Sequence, residues 1–399
     1  MAPPDRQGGS STAAPWKVPA LELCFASTYD PLDVRAWSGT VHFMAKAFRD
    51  QGVGLDVVAP LLRNRLLFRK ALNRMRSMAM PGTFLPAERT LSMARRFAEQ
   101  IGDRFRRGNG TVVFSPGSIP VALLDPSIPH AFFADATFSG LLDEYPELEG
   151  YDEAAIAEGH ELEEQALKGS SRVFYTSQWA ARSAVERYGA DPSRIRVLPF
   201  GPNLGRLPDR DEVIRAVERR GMDRCELLFV GVTWERKGGP FAAEVAGLLN
   251  DRGIPTRLTV VGCTPPAPWS EHVQVVPFIA KDTVEGQLRL IRMMLDAHFL
   301  IMPSRAECFG IVYAEASAMG LPSLARDTGG VAEAVHDGAN GRLFSAEATP
   351  VQYADAVEEL LRDREAYLAL AERSRLEHET RLNWPATVRA MREELMALH

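Results

Sequence analysis

Short apolar runs alternate with helix-like segments along nearly all of this 399-residue chain, and that alternation narrows the fold more than any other feature. Residues 20–27, 55–59, 111–115, 130–136, 171–177 and 196–200 read as strands in the first half, and 226–230, 257–262, 273–278 and 299–302 in the second. Helical stretches fall between them, at 40–51, 88–107, 178–188, 211–220 and 285–296, and the chain after Leu343 is mainly helical. A repeated strand–helix–strand order joins parallel strands through crossovers, so each half is expected to form a parallel sheet covered on both faces. With 46% hydrophobic residues, a chain of this length supplies two cores better than one. The stretch 201–208, rich in Gly and Pro, looks like the connection between them.

The densest chemistry lies in residues 303–320. Glu307 and Glu315 flank a loop-to-helix junction there, and 311–319 reads as a short helix with Val312, Ala316 and Met319 on its apolar face. Glu315 falls on that same face, where an unpaired carboxylate costs several kcal/mol or takes up a proton. Glu307 precedes the helix beside Phe309 and Gly310, where free N–H groups and the helix dipole attract an anion. The spacing is compatible with a site for a polyol and a phosphate together. It is equally compatible with Glu307 capping the helix and Glu315 pairing with a core arginine. A second phosphate grip is suggested by Arg236-Lys237-Gly238-Gly239 after the strand at 226–230, with Pro240 starting the next helix. In the first half, Trp37-Ser38-Gly39-Thr40 marks a loop-to-helix turn. Gly39 there allows close approach of a ligand, or Ser38 simply caps the helix.

Together with 328–335 and 337–341, the 303–320 segment resembles the nucleotide-sugar signature of the retaining glycosyltransferases of family 4. The similarity extends to 231–238, to 175–179 and, more weakly, to 37–40, so it covers roughly residues 20–399. It implies the α/β GT-B architecture, two Rossmann-like doubly wound domains facing a central cleft. An acceptor domain at 19–201 would be completed by a C-terminal helix at 383–399, and a donor domain would span 205–382 after a disordered tail at 1–18. The resemblance makes Glu307, Lys237 and Asp135 the catalytic candidates. It places Glu307 on sugar hydroxyls, Glu315 on the ribose, Lys237 on the diphosphate, and the backbone of Phe309, Gly310 and Ile311 on the leaving phosphate. Gly39 and Thr40 would face the acceptor. The match has two departures. Ala134 precedes Asp135 where many relatives carry a donor-contacting histidine, and His130 is displaced from that position and reads as a strand-edge residue. Val232 stands where many relatives carry an arginine, a loss that Arg236 can make good.

Charge and composition exclude other classes. A net charge of −6 and a pI near 5.9 argue against general nucleic-acid binding. Cys24, Cys225, Cys263 and Cys308 are scattered without C-x-x-C spacing, which suggests a reducing, cytoplasmic setting. The eight histidines are dispersed, so no metal and no cofactor beyond a sugar nucleotide are expected. No apolar stretch reaches the ~20 residues of a membrane span, and the N-terminus lacks a signal-peptide core. The stretch 61–80 is basic and amphipathic, carrying Arg63, Arg65, Arg69, Lys70, Arg74 and Arg76. It suits peripheral contact with an anionic inner membrane face beside a lipid-linked acceptor, a soluble anionic acceptor, or pairing with the acidic stretch 143–164, which reads as a solvated helix. The expected function is metal-independent transfer of a sugar from a nucleotide diphosphate with retention at the anomeric carbon. A nucleotide-sugar epimerase on the same layout, or a binding protein without turnover, remains open at this point.

Overall fold

The computed structural model describes residues 21–62, 89–145, 148 and 150–398. The N-terminal tail and nearly all of the basic 61–80 stretch, including Arg65, Arg69 and Arg76, lie outside the described residues. Twelve strands form two six-stranded sheets among the described residues. The first contains β1 (Glu22–Ala26), β2 (Gly54–Val58), β3 (Val112–Pro116), β4 (His130–Ala134), β5 (Arg172–Tyr175) and β6 (Ile195–Val197). The second contains β7 (Cys225–Val230), β8 (Thr256–Val261), β9 (Val273–Val276), β10 (Phe299–Met302), β11 (Ser323–Arg326) and β12 (Gly341–Phe344). Every strand pair is parallel. Ten of these strands overlap the apolar runs, with ends shifted by up to three residues, whereas β11 and β12 fall where the sequence reading placed no strand.

The pairing orders are β2-β1-β3-β4-β5-β6 and β12-β11-β10-β7-β8-β9. Each therefore reverses direction once, between β1 and β3 in the first sheet and between β7 and β10 in the second. Loops leaving the carboxyl ends of strands diverge at such a reversal and open a crevice for a ligand. The central strands are apolar on both faces because helices cover both: Phe114, Phe132, Phe133, Leu300 and Ile301 are fully buried. Most helices begin at a side chain that accepts a free backbone N–H, as Thr90 does from Met93, Ser177 from Ala180 and Thr283 from Gly286. The chain's Asp-x-Asp, Asp209-Arg210-Asp211, does the same: Asp209 forms a capping box at the head of the helix Arg210–Glu218.

Three expectations need correction. The acidic stretch is not simply a solvated helix, because Glu163 on the helix Glu153–Gly169 is 1% exposed. It accepts hydrogen bonds from Ser118 (2.7 Å), Arg89 (3.2 Å) and Tyr175 (3.5 Å), which satisfies a charge that burial alone would penalise. His130 is not at a sheet edge. It opens β4 between β3 and β5, fully buried, with Nδ1 2.8 Å from the Ile128 carbonyl. Ser38 does not cap the helix Thr40–Asp50; that helix starts from Gly39 with no side-chain cap.

The halves join through a polar knot at the linker. Asn203, 1% exposed, donates to the Ser38 carbonyl (3.0 Å) and to Thr40 Oγ1 (3.1 Å), and accepts from the Trp384 indole (3.1 Å). The helix Trp384–Met396 lies against the first sheet. Thr387 donates to the Pro199 carbonyl at 2.6 Å, and Glu394 pairs with Arg172 (2.9 Å) and Arg196 (2.6 Å). Among the described residues, no helix is long and apolar enough to cross a membrane.

Candidate active site

Both switch points open onto one cleft of ≈ 500 Å³ between the sheets. Asp135, Arg236, Lys237, Glu307, Phe309, Gly310, Ile311, Glu315 and Thr40 all line it, and Gly39 lies immediately behind the lining residues Ser38 and Thr40. The carboxyl-edge rule gathers the loops of each sheet, and the contacts of Asn203 and Glu144 set the two edges face to face, so positions as far apart as 40 and 315 meet in one place.

The second domain supplies one wall. The loop after β7 carries Arg236 and Lys237, and the loop after β10 carries Glu307 and leads into the helix Ile311–Ala318. The Lys237 ammonium is hydrogen-bonded to the Glu307 carboxylate, both largely buried. Arg236 donates to the Ala306 carbonyl at 3.0 Å, and the Arg305 amide returns to the Arg236 carbonyl at 2.8 Å, so the two loops are stitched together. Among the described residues Arg236 makes no ion pair, which leaves a fixed guanidinium beside the cleft with charge to offer. Phe309 contributes only backbone, since its ring is buried 5.4 Å from that of Phe200. Gly310 begins the helix in the left-handed region (φ +82°), leaving the first helical N–H groups free of side-chain caps. Glu315, 1% exposed, pairs with Lys281 at 2.6 Å, a lysine and not the arginine that the buried-pair reading expected.

The first domain supplies the facing wall. Trp37 and Ser38 both adopt left-handed backbone conformations (φ +46° and +54°), followed by Gly39 at +89°. Non-glycine residues there cost on the order of 1–3 kcal/mol each, and such strain persists only where surrounding contacts over-determine it. Here Asn203 holds the Ser38 carbonyl and Phe200 meets the Trp37 ring edge-on at 5.7 Å. The strained turn aims the Trp37 indole N–H at the Asp135 carboxylate. Burial pushes Asp135 up to about 6; its own amide opposes that shift, the facing Glu307 adds to it, and the Trp37 bond opposes it.

A carboxylate from the first domain also reaches the opposite wall. Glu144, at the end of the helix Phe138–Glu144, accepts from the Glu307 amide (2.8 Å) and from the Thr328 hydroxyl (2.9 Å). Beside it, Tyr145 lies under the Arg236 guanidinium (5.3 Å) and accepts from Cys308 Sγ (3.5 Å). Burial is the largest influence on Glu144 and raises its pKa above the ordinary carboxylate value, against the pull of those two hydrogen bonds. Glu144→Ala removes the clasp and is expected to increase the radius of gyration in small-angle scattering. An unchanged radius would show that the clasp does not hold the domains together.

Glu144, Tyr145, Lys281 and Trp37 were missed as site residues by sequence reasoning. Lys281 had a signal, standing just past β9 on the carboxyl edge of the second sheet. Glu144 had none, because it sits within an acidic run that looks like solvated surface.

Two parallel sheets with their switch points across a cleft define the GT-B fold, the frame of a large class of glycosyltransferases. Residues 224–363 match the family glycosyl transferases group 1, so the resemblance to family 4 drawn from the 303–341 signature holds. The chain is 30% identical over 265 residues to D-inositol 3-phosphate glycosyltransferase of Nocardia farcinica, a match covering 61% of this chain and 58% of that protein. It therefore spans a little under six tenths of the length of that relative. Among solved structures it is similar to sucrose-phosphate synthase from Thermosynechococcus elongatus (TM-score 0.67, 18% identity, 95% of this chain and 99% of that one). Anabaena Alr3699/HepE in complex with UDP-glucose is another neighbour (TM-score 0.61, 16% identity, 94% and 100%).

Proposed function

We propose that the protein is a retaining glycosyltransferase that takes a sugar from a nucleotide diphosphate donor. The observation that carries this reading is the donor wall itself. Arg236, the Lys237–Glu307 pair, the free N–H groups near Phe309 to Ile311, and Glu315 all line the second-domain side of one cleft, so cations, N–H donors and carboxylates suited to a diphosphate, a sugar and a ribose are within reach of one ligand. Cations and N–H dipoles take up the charge that grows on the departing phosphate as the glycosidic bond breaks. Because that charge is larger in the transition state than in the bound donor, these groups accelerate the reaction as well as binding its substrate. Glu307 accepts from sugar hydroxyls and Glu315 from the ribose. The acceptor hydroxyl enters past Trp37 and Thr40, is oriented by Asp135, and passes its proton to the departing phosphate on the same face, which preserves the anomeric configuration. Arg236 takes the place of the arginine that Val232 replaces. No step uses a metal, and turnover is expected to continue in excess EDTA.

The relative's name and the neighbour's UDP-glucose complex support a nucleotide-sugar donor and a hydroxylated, phosphate-bearing acceptor. The test is a thermal-shift screen across UDP-, GDP-, ADP- and TDP-sugars. A ligand at 100 times its dissociation constant stabilises by about 2.7 kcal/mol. Binding that is unaffected by Glu315→Ala would remove the ribose assignment.

Asp135→Asn separates stability from function. A carboxyl that binds its proton up to about pH 6 when folded, against 3.8 in the unfolded chain, makes the fold lose stability as pH rises through that window. The asparagine variant is expected to be more stable than the parent by about 3 kcal/mol at pH 8, with the gain vanishing below pH 4, while turnover falls. Denaturant melts at the two pH values read this directly, and a gain that did not depend on pH would count against it.

A further inference from the structure

Glu315 is among the most enclosed ionisable groups in the molecule, and it does not face the cleft alone. Lys281 reaches it from a different element, the loop between β9 and the helix Val284–Asp296. That loop is held in place. Gln287 Nε2 donates to the Lys281 carbonyl at 2.7 Å, and Thr283, which caps the helix, donates to the Ala280 carbonyl at 3.3 Å. The ammonium meets one oxygen only, Oε1 at 2.6 Å. No hydrogen bond to Oε2 is formed among the described residues, although the residue lines the cleft. One oxygen is pinned, and the other is left as an acceptor at the cleft wall.

We infer that Lys281 is a positioning residue for a vicinal-diol site, fixing Glu315 as a charged acceptor and so giving the protein its preference for ribose over 2′-deoxyribose nucleotides. The inference rests on the nucleotide-site reading above. A diol presents two O–H donors, which a carboxylate held in one rotamer can accept together. Without the ammonium, the carboxylate loses the contact that fixes its rotamer and can swing toward other donors, out of line with the diol. The deoxyribose analogue lacks one hydroxyl and so depends less on that alignment.

The experiment compares UDP, ADP and GDP with their 2′-deoxy counterparts by calorimetry, on the parent chain, Lys281→Met and Lys281→Arg. The parent is expected to favour the bound ribonucleotide about tenfold over its deoxy form, the scale of one hydrogen bond to a charged group. Lys281→Met should bring that ratio close to one, and Lys281→Arg should restore most of it. Equal loss of affinity for both sugars in Lys281→Met would make Lys281 a direct phosphate ligand and overturn the inference. So would lowered thermal stability with the ratio intact, which would make the pair purely structural. If the parent bound none of the ribonucleotides, the nucleotide-site reading would fail first and take this inference with it.

Discussion

Lys237→Ala is expected to lower turnover on the order of 100-fold or more while weakening nucleotide binding only about tenfold. The asymmetry follows from when the charge appears. A bound donor already carries a diphosphate, but the leaving phosphate gains negative charge as the sugar departs, and the proposed mechanism puts the cleft-lining cations Lys237 and Arg236 beside it. The substitution also strips Glu307 of its partner. Glu307 already raises Asp135 across the cleft, so an uncompensated Glu307 pushes Asp135 further up, and the acid limb of the pH–rate profile should move to higher pH. Lys237→Arg keeps the charge and should show less of that movement. Equal tenfold losses in turnover and affinity, with an unmoved profile, would reduce Lys237 to a ground-state anchor.

The largest stability effect is expected one residue later. Gly238 adopts φ +79°, and a Cβ there would lie 2.1 Å from the Pro303 carbonyl oxygen. Backbone meets backbone at that point, so neither side can swing away, and relief requires the loops after β7 and β10 to separate. Gly238→Ala should therefore destabilise the second domain by roughly 3 kcal/mol or more, lowering its melting temperature by several degrees. Gly253→Ala is the matched control. Its φ of +78° is nearly the same, but nothing lies within 4 Å of the added carbon, so about 1 kcal/mol of conformational strain is all that it should show. If the two variants melted together, the tight approach of the two loops would not be what Gly238 serves.

Which parts of this molecule were legible in its sequence follows from what each depends on. Strand and helix positions rest on local periodicity, and the Phe299–Met302 strand and the helix beginning at Ile311 stand where the pattern puts them. The loops of the second-domain wall were legible because they lie at carboxyl ends of strands and carry glycines beside charged side chains. Pairing order is not local, so nothing in the chain announces that β7 neighbours β10, the arrangement that brings Arg236 against Ala306. Glu163 was misjudged because its partners Arg89, Ser118 and Tyr175 come from three other segments. Glu144 was hidden for the same reason, its partners being supplied by the other domain. The left-handed turn at Trp37 and Ser38 goes against the preferences of both residues. Contacts from Asn203 and Phe200, 160 or more positions away, hold it there.

The proposal that this cleft transfers sugar is tested most directly by incubating the pure protein with sugar nucleotides, with and without a polyol-phosphate acceptor or cell extract, and following release of the free nucleotide. The account predicts release that requires the acceptor, collapses in Lys237→Ala, and leaves the sugar on the acceptor with its anomeric configuration retained. A changed sugar formed without any acceptor, or tight nucleotide binding with no release under any condition, would contradict it.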